Sequence, residues 1–237
     1  MKTGRTKMEI KDVFSLKIRD IFSLIISLPI TIYVNFRCLP FRTALKFPIF
    51  VGYKTRIDKL SRNIKFGCEP TTFMVRIGWG GTEGRELGKK NYLLLNENSS
   101  IQFNGRCTMS SGVSLVLDLG TLEIGKNFFC NKNCTISCND RITIGDNVLF
   151  GWNVEVLDSD NHKVIHKNQQ RNCDRGPIRI GNHVWVAAFS HILKNSVIPD
   201  GSIVAYHSLV TKKFEGEKLL LGGCPAKVVE EEIEWER

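Results

Sequence analysis

The residues of this 237-residue chain best able to do chemistry are five histidines and eight cysteines. Near neutral pH an imidazole can take a proton from a weak nucleophile such as a hydroxyl, provided the two lie within hydrogen-bond reach. His162 closes the run Asp158-Ser159-Asp160-Asn161-His162, in which Asp158 or Asp160 could orient the ring or hold a polar acceptor. His166 follows, and His183, His191 and His207 lie further on. From residue type alone, the commoner fate of such a histidine is a solvated loop side chain. Three of them, His162, His166 and His183, could instead hold zinc for a lyase. Cys130, Cys134 and Cys138 recur every four residues, but zinc signatures pair cysteines closely and add a second pair or histidines. They are read as buried small hydrophobes, and no metal is expected.

A base is useful only where the backbone holds it, and the strongest structural signal in the chain is a period of six. Ile180, Val186, Ile192, Ile198, Val204 and Val210 follow it without a miss, with Val184, Ser190, Ser196, Ser202 and Ser208 four places further on. At a hydrophobic content of 42%, six such hits arise by chance about once in two hundred trials. Upstream the rhythm returns as Ile124, Cys130, Ile136 and Ile142, then slips by two to Ile144, Phe150 and Val156. A fainter precursor runs through Ile101, Cys107, Val113 and Leu119. A helix would need spacings of three and four. Six residues can instead supply one short strand and one corner, three units making a coil of a triangular prism whose stacked coils bury each other. Gly125-Lys126-Asn127, Gly145-Asp146-Asn147 and Gly181-Asn182 offer the corners residues that tolerate positive φ. Periodicity alone leaves the handedness open.

The formal charge of +9 is carried at one end: residues 1 to 62 hold 13 Lys/Arg against 4 Asp/Glu, and the rest holds 20 of each. That asymmetry points to an anionic partner of the N-terminus, such as a phospholipid surface or lipid-linked phosphates, and away from a protein that wraps nucleic acid. Ile21 to Val34 is apolar, fourteen residues long and interrupted by Pro29, which is short for a bilayer span. Flanked by Lys11, Lys17, Arg19, Arg37, Arg42 and Lys46, it reads either as a cap that buries its apolar face on the open end of the solenoid or as a helix lying in a membrane interface. No secretory signal is recognisable, so the expectation is a cytoplasmic protein with reduced thiols, peripheral on the inner face of the cell membrane. The sequence divides into a basic amphipathic helical segment at 1–47, a β-helix at 48–214 with a loop insertion at about 157–177, and a tail at 215–237.

The stretch IRIGNHVWVAAFSHILKNSVIPDGSIVAYHSLVTKKF followed by GGCPAKVV resembles the C-terminal coils of the hexapeptide-repeat acetyltransferases. LDSDNHKV, VNFRCLPFRTALKFPIFV and EEIEWER are similar to segments of the bacterial O-acetyltransferases of capsule, lipopolysaccharide or exopolysaccharide clusters. The resemblance implies a mainly β chain folded as a left-handed parallel β-helix with an N-terminal helical segment. It also implies a homotrimer with sites in the clefts between subunits, and transfer of acetyl from acetyl-CoA to a sugar or lipid-linked oligosaccharide. His162 falls on the family's general base. Ala188, Tyr206, Thr211, Lys212 and Lys227 fall on coenzyme positions, with Lys212 and Lys227 suited to phosphates. Asn131 matches a position near the acetyl group, and Asn139 one that faces the acceptor, where Asp158 and Asp160 would also contribute. Where the family carries glycine and alanine along the coenzyme groove, this chain has Ala187-Ala188-Phe189 and Ala205-Tyr206-His207. The other functions weighed are N-acetylation of an amino sugar, a zinc lyase of the carbonic anhydrase type and a scaffold without turnover.

Overall fold

The computed structural model describes residues 18–81, 90–162 and 174–236. Helix α1 (Ile18–Cys38) and the single turn α2 (Phe41–Ala44) lead into strand β1 (Ile49–Val51), and short strands succeed one another as far as Val210. Among the described residues they sort into three parallel sheets of seven, seven and six strands, the chain visiting the three in rotation, and two closing strands bring the first sheet to nine. These are the first, second and third faces of a prism. Met109, Cys130, Phe150, Val186, Val204 and Leu221 stack in register inside the first face. Leu115, Ile136, Val156, Ile192 and Val210 do so inside the second, and Phe103, Ile124, Ile144, Ile180 and Ile198 inside the third. All of them are buried in one continuous core. The small residues of the repeat also point inward: Ser190 Oγ donates to the Ala205 carbonyl at 2.8 Å, and Ser202 Oγ accepts from the Leu219 N–H at 3.1 Å.

The stacking explains the slip in the rhythm. From Phe103 onward the step from first to second face is six (Cys130 to Ile136, Phe150 to Val156, Val186 to Ile192), and from third to first it is six as well (Ile144 to Phe150, Ile180 to Val186), whereas the coil before takes 11 residues from Phe66 to Ile77 and 16 from Ile77 to Leu93. Beyond Phe103 only the corner between the second and third faces varies. It takes nine residues from Leu115 to Ile124, eight from Ile136 to Ile144 and 24 from Val156 to Ile180, then tightens to six from Ile192 to Ile198. Leu119, read as an inward residue of the upstream repeat, sits at this wide corner and is 47% exposed.

Two of the three expected corner runs supply the left-handed residue through their asparagines, and the third leaves it to the next position. Positive φ is taken by Asn127 (58°), Asn147 (58°) and His183 (52°), not by the glycines before them. Gly125 and Gly145 are needed because coils touch there: a Cβ on Gly125 would lie 2.4 Å from the Gly145 carbonyl carbon, and one on Gly145 would lie 2.6 Å from that of Gly181. Between the first and second faces the left-handed positions hold Asn133, Asn153, Phe189 and His207. Phe189 and His207 are the bulky departures noted in the sequence, and each sits in backbone that side chains other than Asn and Gly adopt at a penalty of roughly 1–2 kcal/mol.

Both ends are closed. Helix α1 runs along the outer edge of β1, and the side chains that meet the strand are polar. Asn35 donates from Nδ2 to the Ile49 carbonyl (2.6 Å) and accepts at Oδ1 from the Ile49 N–H (3.2 Å). Thr31 exchanges the same pair of bonds with Val51, and Ser27 accepts from the Tyr53 N–H. The helix is thus a cap that buries Val34 and Cys38 in the core and packs Ile30 against it, while these polar side chains bond the strand and most of its other apolar residues stay outward. At the far end Leu220–Gly223 joins the first face beside Ile203–Val204 and turns back as Ala226–Glu230. Trp235 then stacks on His183 (4.3 Å, 7°) and donates from Nε1 to its carbonyl, pinning the last residues to a corner.

Candidate active site

His162 stands exposed at the wide corner, at the end of a turn that the neighbouring coils hold in place. The strand Glu155–Leu157 ends against Thr135–Cys138, and Asp158 then turns inward to complete burial. Its Oδ1 accepts from the Asn139 N–H (2.7 Å) and its Oδ2 from the Asp140 N–H (2.8 Å), so the carboxylate supplies the acceptors that the eight-residue corner below it lacks. Burial raises the Asp158 carboxyl above its ordinary range, against the opposing pull of those two donors. Asp160 receives Lys194 Nζ at 2.5 Å, Asn161 Oδ1 receives Asn139 Nδ2 at 3.2 Å, and Arg175 donates to the Asn139 carbonyl at 3.3 Å. The insertion leaves and re-enters as a short antiparallel bridge, Asp160 N–H donating to the Asp174 carbonyl and Gly176 N–H to that of Asp158. The sequence brought Asp158, Asp160, Asn139 and His162 together as a site, and the structure makes them neighbours. It also divides them: Asp158 holds the turn from inside, while Asp160 and Asn139 line its outside. Lys194 and Arg175 were missed. Lys194 becomes legible once Val156 is paired with Ile192, because that register lays it over the corner.

The coenzyme candidates divide between two edges of the prism. Thr211 and Lys212 follow the strand Leu209–Val210, which pairs with His191–Leu193, so they stack over Lys194 on the same edge as His162. Asn131, Ala188 and Tyr206 occupy the edge between the first and second faces. Asn131 is buried, its side-chain oxygen accepting from the Lys132 N–H at 3.0 Å. Ala188 is 8% exposed and lies over Gly151, and Tyr206 is 65% exposed with its ring edge-on to Phe189 at 5.5 Å. Lys227 pairs with Gly222 on the closing hairpin above that edge and is exposed. The six-residue step across the second face, at about 3.3 Å per residue, parts the two edges by roughly 20 Å within one chain. The zinc alternative is thinned by the same geometry. His183 is on a third edge, its Nε2 bonded to the Trp235 carbonyl, and His166 lies outside the described residues. Cys107, Cys130, Cys134 and Cys138 are buried as expected of small hydrophobes, and burial raises the Cys107 and Cys138 thiols far above their usual range.

No family model matches the chain. Over 111 residues it is 36% identical to galactoside O-acetyltransferase of Escherichia coli K12, a match covering 46% of this chain and 54% of that protein. An uncharacterized 24.8 kDa protein from the cps region of Klebsiella pneumoniae is 26% identical over 203 residues, 86% of this chain and 88% of the other. The crystal structure of the polySia-specific acetyltransferase NeuO matches 78% of this chain and 89% of its own, with a TM-score of 0.50 at 18% identity, a likeness of fold. Over about half its length the chain is similar in sequence to curated acetyltransferases, and over most of it to NeuO in fold. Its solenoid is a left-handed parallel β-helix with a helix ahead of it. The chain spans a little over half the length of the first relatives it matches, 54% and 56%.

Proposed function

We propose that this hexapeptide-repeat protein transfers an acetyl group from acetyl-CoA to a hydroxyl of a sugar, in a polysaccharide or a lipid-linked precursor, with His162 as general base. The observation that carries the reading is the wide corner: the longest step between faces, 24 residues from Val156 to Ile180, falls where His162 stands exposed and where Asp158 is buried to fix the turn. His162 takes the hydroxyl proton as the acceptor oxygen attacks the thioester carbonyl. The tetrahedral intermediate collapses with loss of the thiolate, which takes up a proton, leaving an O-acetyl ester and free coenzyme A. No acyl-enzyme is needed, because holding the two substrates together provides much of the acceleration. Asp160 and Asn139, on the outside of the same corner, are the residues assigned to hold acceptor hydroxyls.

The residues available for the coenzyme fit its chemistry: exposed ammonium groups at Lys212 and Lys227 for phosphates, and a column of small Ala187, Ala188 and Ala205 bounded by Tyr206 for the pantetheine arm. Because these lie on two edges, a cleft that uses both is completed by a second copy, which supports the homotrimer. In the test, thiol release from acetyl-CoA is followed against a panel of free sugars, nucleotide sugars, amino sugars and lipid-linked oligosaccharides. His162→Ala is expected to lower turnover by roughly 10² to 10⁴-fold with coenzyme affinity nearly unchanged. Wild-type turnover in that variant removes His162 from the role of base, and acetylation of amino sugars alone replaces the hydroxyl acceptor by an amine.

A further inference from the structure

Helix α1 is inverted relative to a helix that packs on a soluble core. The face turned to the solenoid buries Val34 and Cys38 beside Ser27, Thr31 and Asn35, whose side chains saturate the N–H and C=O groups of the edge strand β1. An amphipathic surface helix buries its apolar stripe and shows water its polar one. Here the outward face is Ile21, Phe22, Ile25, Ile26, Leu28, Ile32, Tyr33 and Phe36, each between 38% and 64% exposed, continued by Phe41 and Leu45 at 67% and 54%. At the helical repeat of 100° per residue these fall within one sector, nearly opposite the bonded polar one. The sequence from Ile21 to Cys38 has a mean hydropathy of 1.6 over 18 residues. So continuous an apolar face on a chain of this size marks a surface that is covered in use.

We infer that this face is the membrane-docking surface of the protein, and that its partner is an anionic phospholipid bilayer lying parallel to the coils. Charge complementarity commits the surface to that partner. Arg37 borders the apolar sector and lines a cleft with Arg62 and Glu97 at the same end of the prism, and Arg42 stands on the following turn. The formal charge of the whole chain is carried by residues 1 to 62, with 13 basic against 4 acidic side chains. A second copy of the chain would bring a face with the same basic surplus, 13 Lys/Arg against 4 Asp/Glu over residues 1 to 62. The polar bonds to β1 also decide between lying on the bilayer and crossing it. Ser27 to Asn35 is anchored to three residues of the solenoid's edge, so the helix axis is fixed along the strand. A helix so held offers one side to lipid and lies in the interface. The solenoid then stands upright, its N-terminal end on the lipid and its coils parallel to the bilayer.

The test uses the full chain in flotation with vesicles of phosphatidylcholine alone or with 30% phosphatidylglycerol. Wild type is expected to float with the anionic vesicles and to be released by salt. Ile25→Glu/Ile32→Glu, at positions 57% and 46% exposed that leave β1 and its bonds intact, is expected to lower partitioning at least tenfold with an unchanged circular dichroism spectrum. Arg37→Gln and Arg42→Gln should each lower it about fivefold on anionic vesicles only. The inference is overturned if wild type does not float, if the double glutamate variant floats as well as wild type, or if binding is indifferent to lipid charge. It is also overturned if the double variant loses mass in sedimentation while wild type ignores vesicles, since the face is then a contact between copies.

Discussion

At the scale of single residues, Asp158 illustrates how a polar side chain can serve a site without facing it. Both oxygens are consumed by backbone donors of the coil below. Asp158→Asn keeps one acceptor and turns an N–H₂ toward the second buried donor, so a loss of about 1–3 kcal/mol is expected in urea unfolding. The pH dependence has a definite sign. Burial raises the folded-state carboxyl above its unfolded value, so the folded form binds the proton more tightly. This group's contribution is therefore most favourable below the unfolded carboxylate range near 3.9 and declines as pH rises toward the raised value. The advantage of wild type over Asp158→Asn should accordingly widen as the pH is lowered from 7 toward 4, and a gap that narrows would reverse the assignment. None of this was legible from the sequence, where Asp158 and Asp160 look alike. Which of the two points inward depends on the third face beginning two residues late. His162 was legible only through resemblance, since nothing in its own neighbours distinguishes it from a solvated histidine.

Elements were more legible than residues, for a physical reason. An inward β-branched side chain must recur each time the chain meets the same face, so the period is written into the sequence wherever the corners are equal. From Ile178 onward they are, and the reading there matches the stacked core residue for residue. Upstream the corner between the second and third faces lengthens, and Leu119 was misplaced because a fixed period cannot absorb a nine-residue step. The glycines were noticed for the wrong property: they are required by coil contact, and asparagines take the left-handed turn. Gly145→Ala, with a Cβ 2.6 Å from the next coil's backbone, should lower stability by about 1–3 kcal/mol and Tm by several degrees. Asn147→Ala should cost roughly 1 kcal/mol for the positive φ alone, with no clash. The polarity of α1 was hidden for a related reason. Ser27, Thr31 and Asn35 read as interruptions of an apolar run until the edge strand they bond is known. Asn35→Ala leaves the Ile49 N–H and C=O without partners, so faster amide exchange across Ile49–Val51 is the expected result, and unchanged exchange there would show that the cap is not held by these bonds.

At the scale of the whole molecule, the residues matched to the family's site lie on two edges of one prism, with His162, Thr211 and Lys212 on one and Asn131, Ala188, Tyr206 and Lys227 on the other. Copies arranged around an axis parallel to the solenoid would bring unlike edges together and present all three α1 helices to one plane, so the cleft and the proposed membrane surface are served by the same symmetry. Three weak lipid contacts on one rigid body also bind with avidity that a single helix lacks. The arrangement predicts complementation. His162→Ala disables one edge, and Lys227→Glu, at an exposed position, repels the coenzyme phosphates from the other. Each variant alone should be nearly inactive at subsaturating acetyl-CoA. When the two are mixed by co-expression, a cleft is intact only where a Lys227→Glu copy lends its His162 to a neighbour that keeps Lys227. Random assembly makes that about one cleft in four, so recovered activity near a quarter of wild type is expected from sites shared between subunits. A mixture no more active than its components would place the whole reaction on a single chain, and the roughly 20 Å between the two edges would then exclude one of the two residue sets from the site.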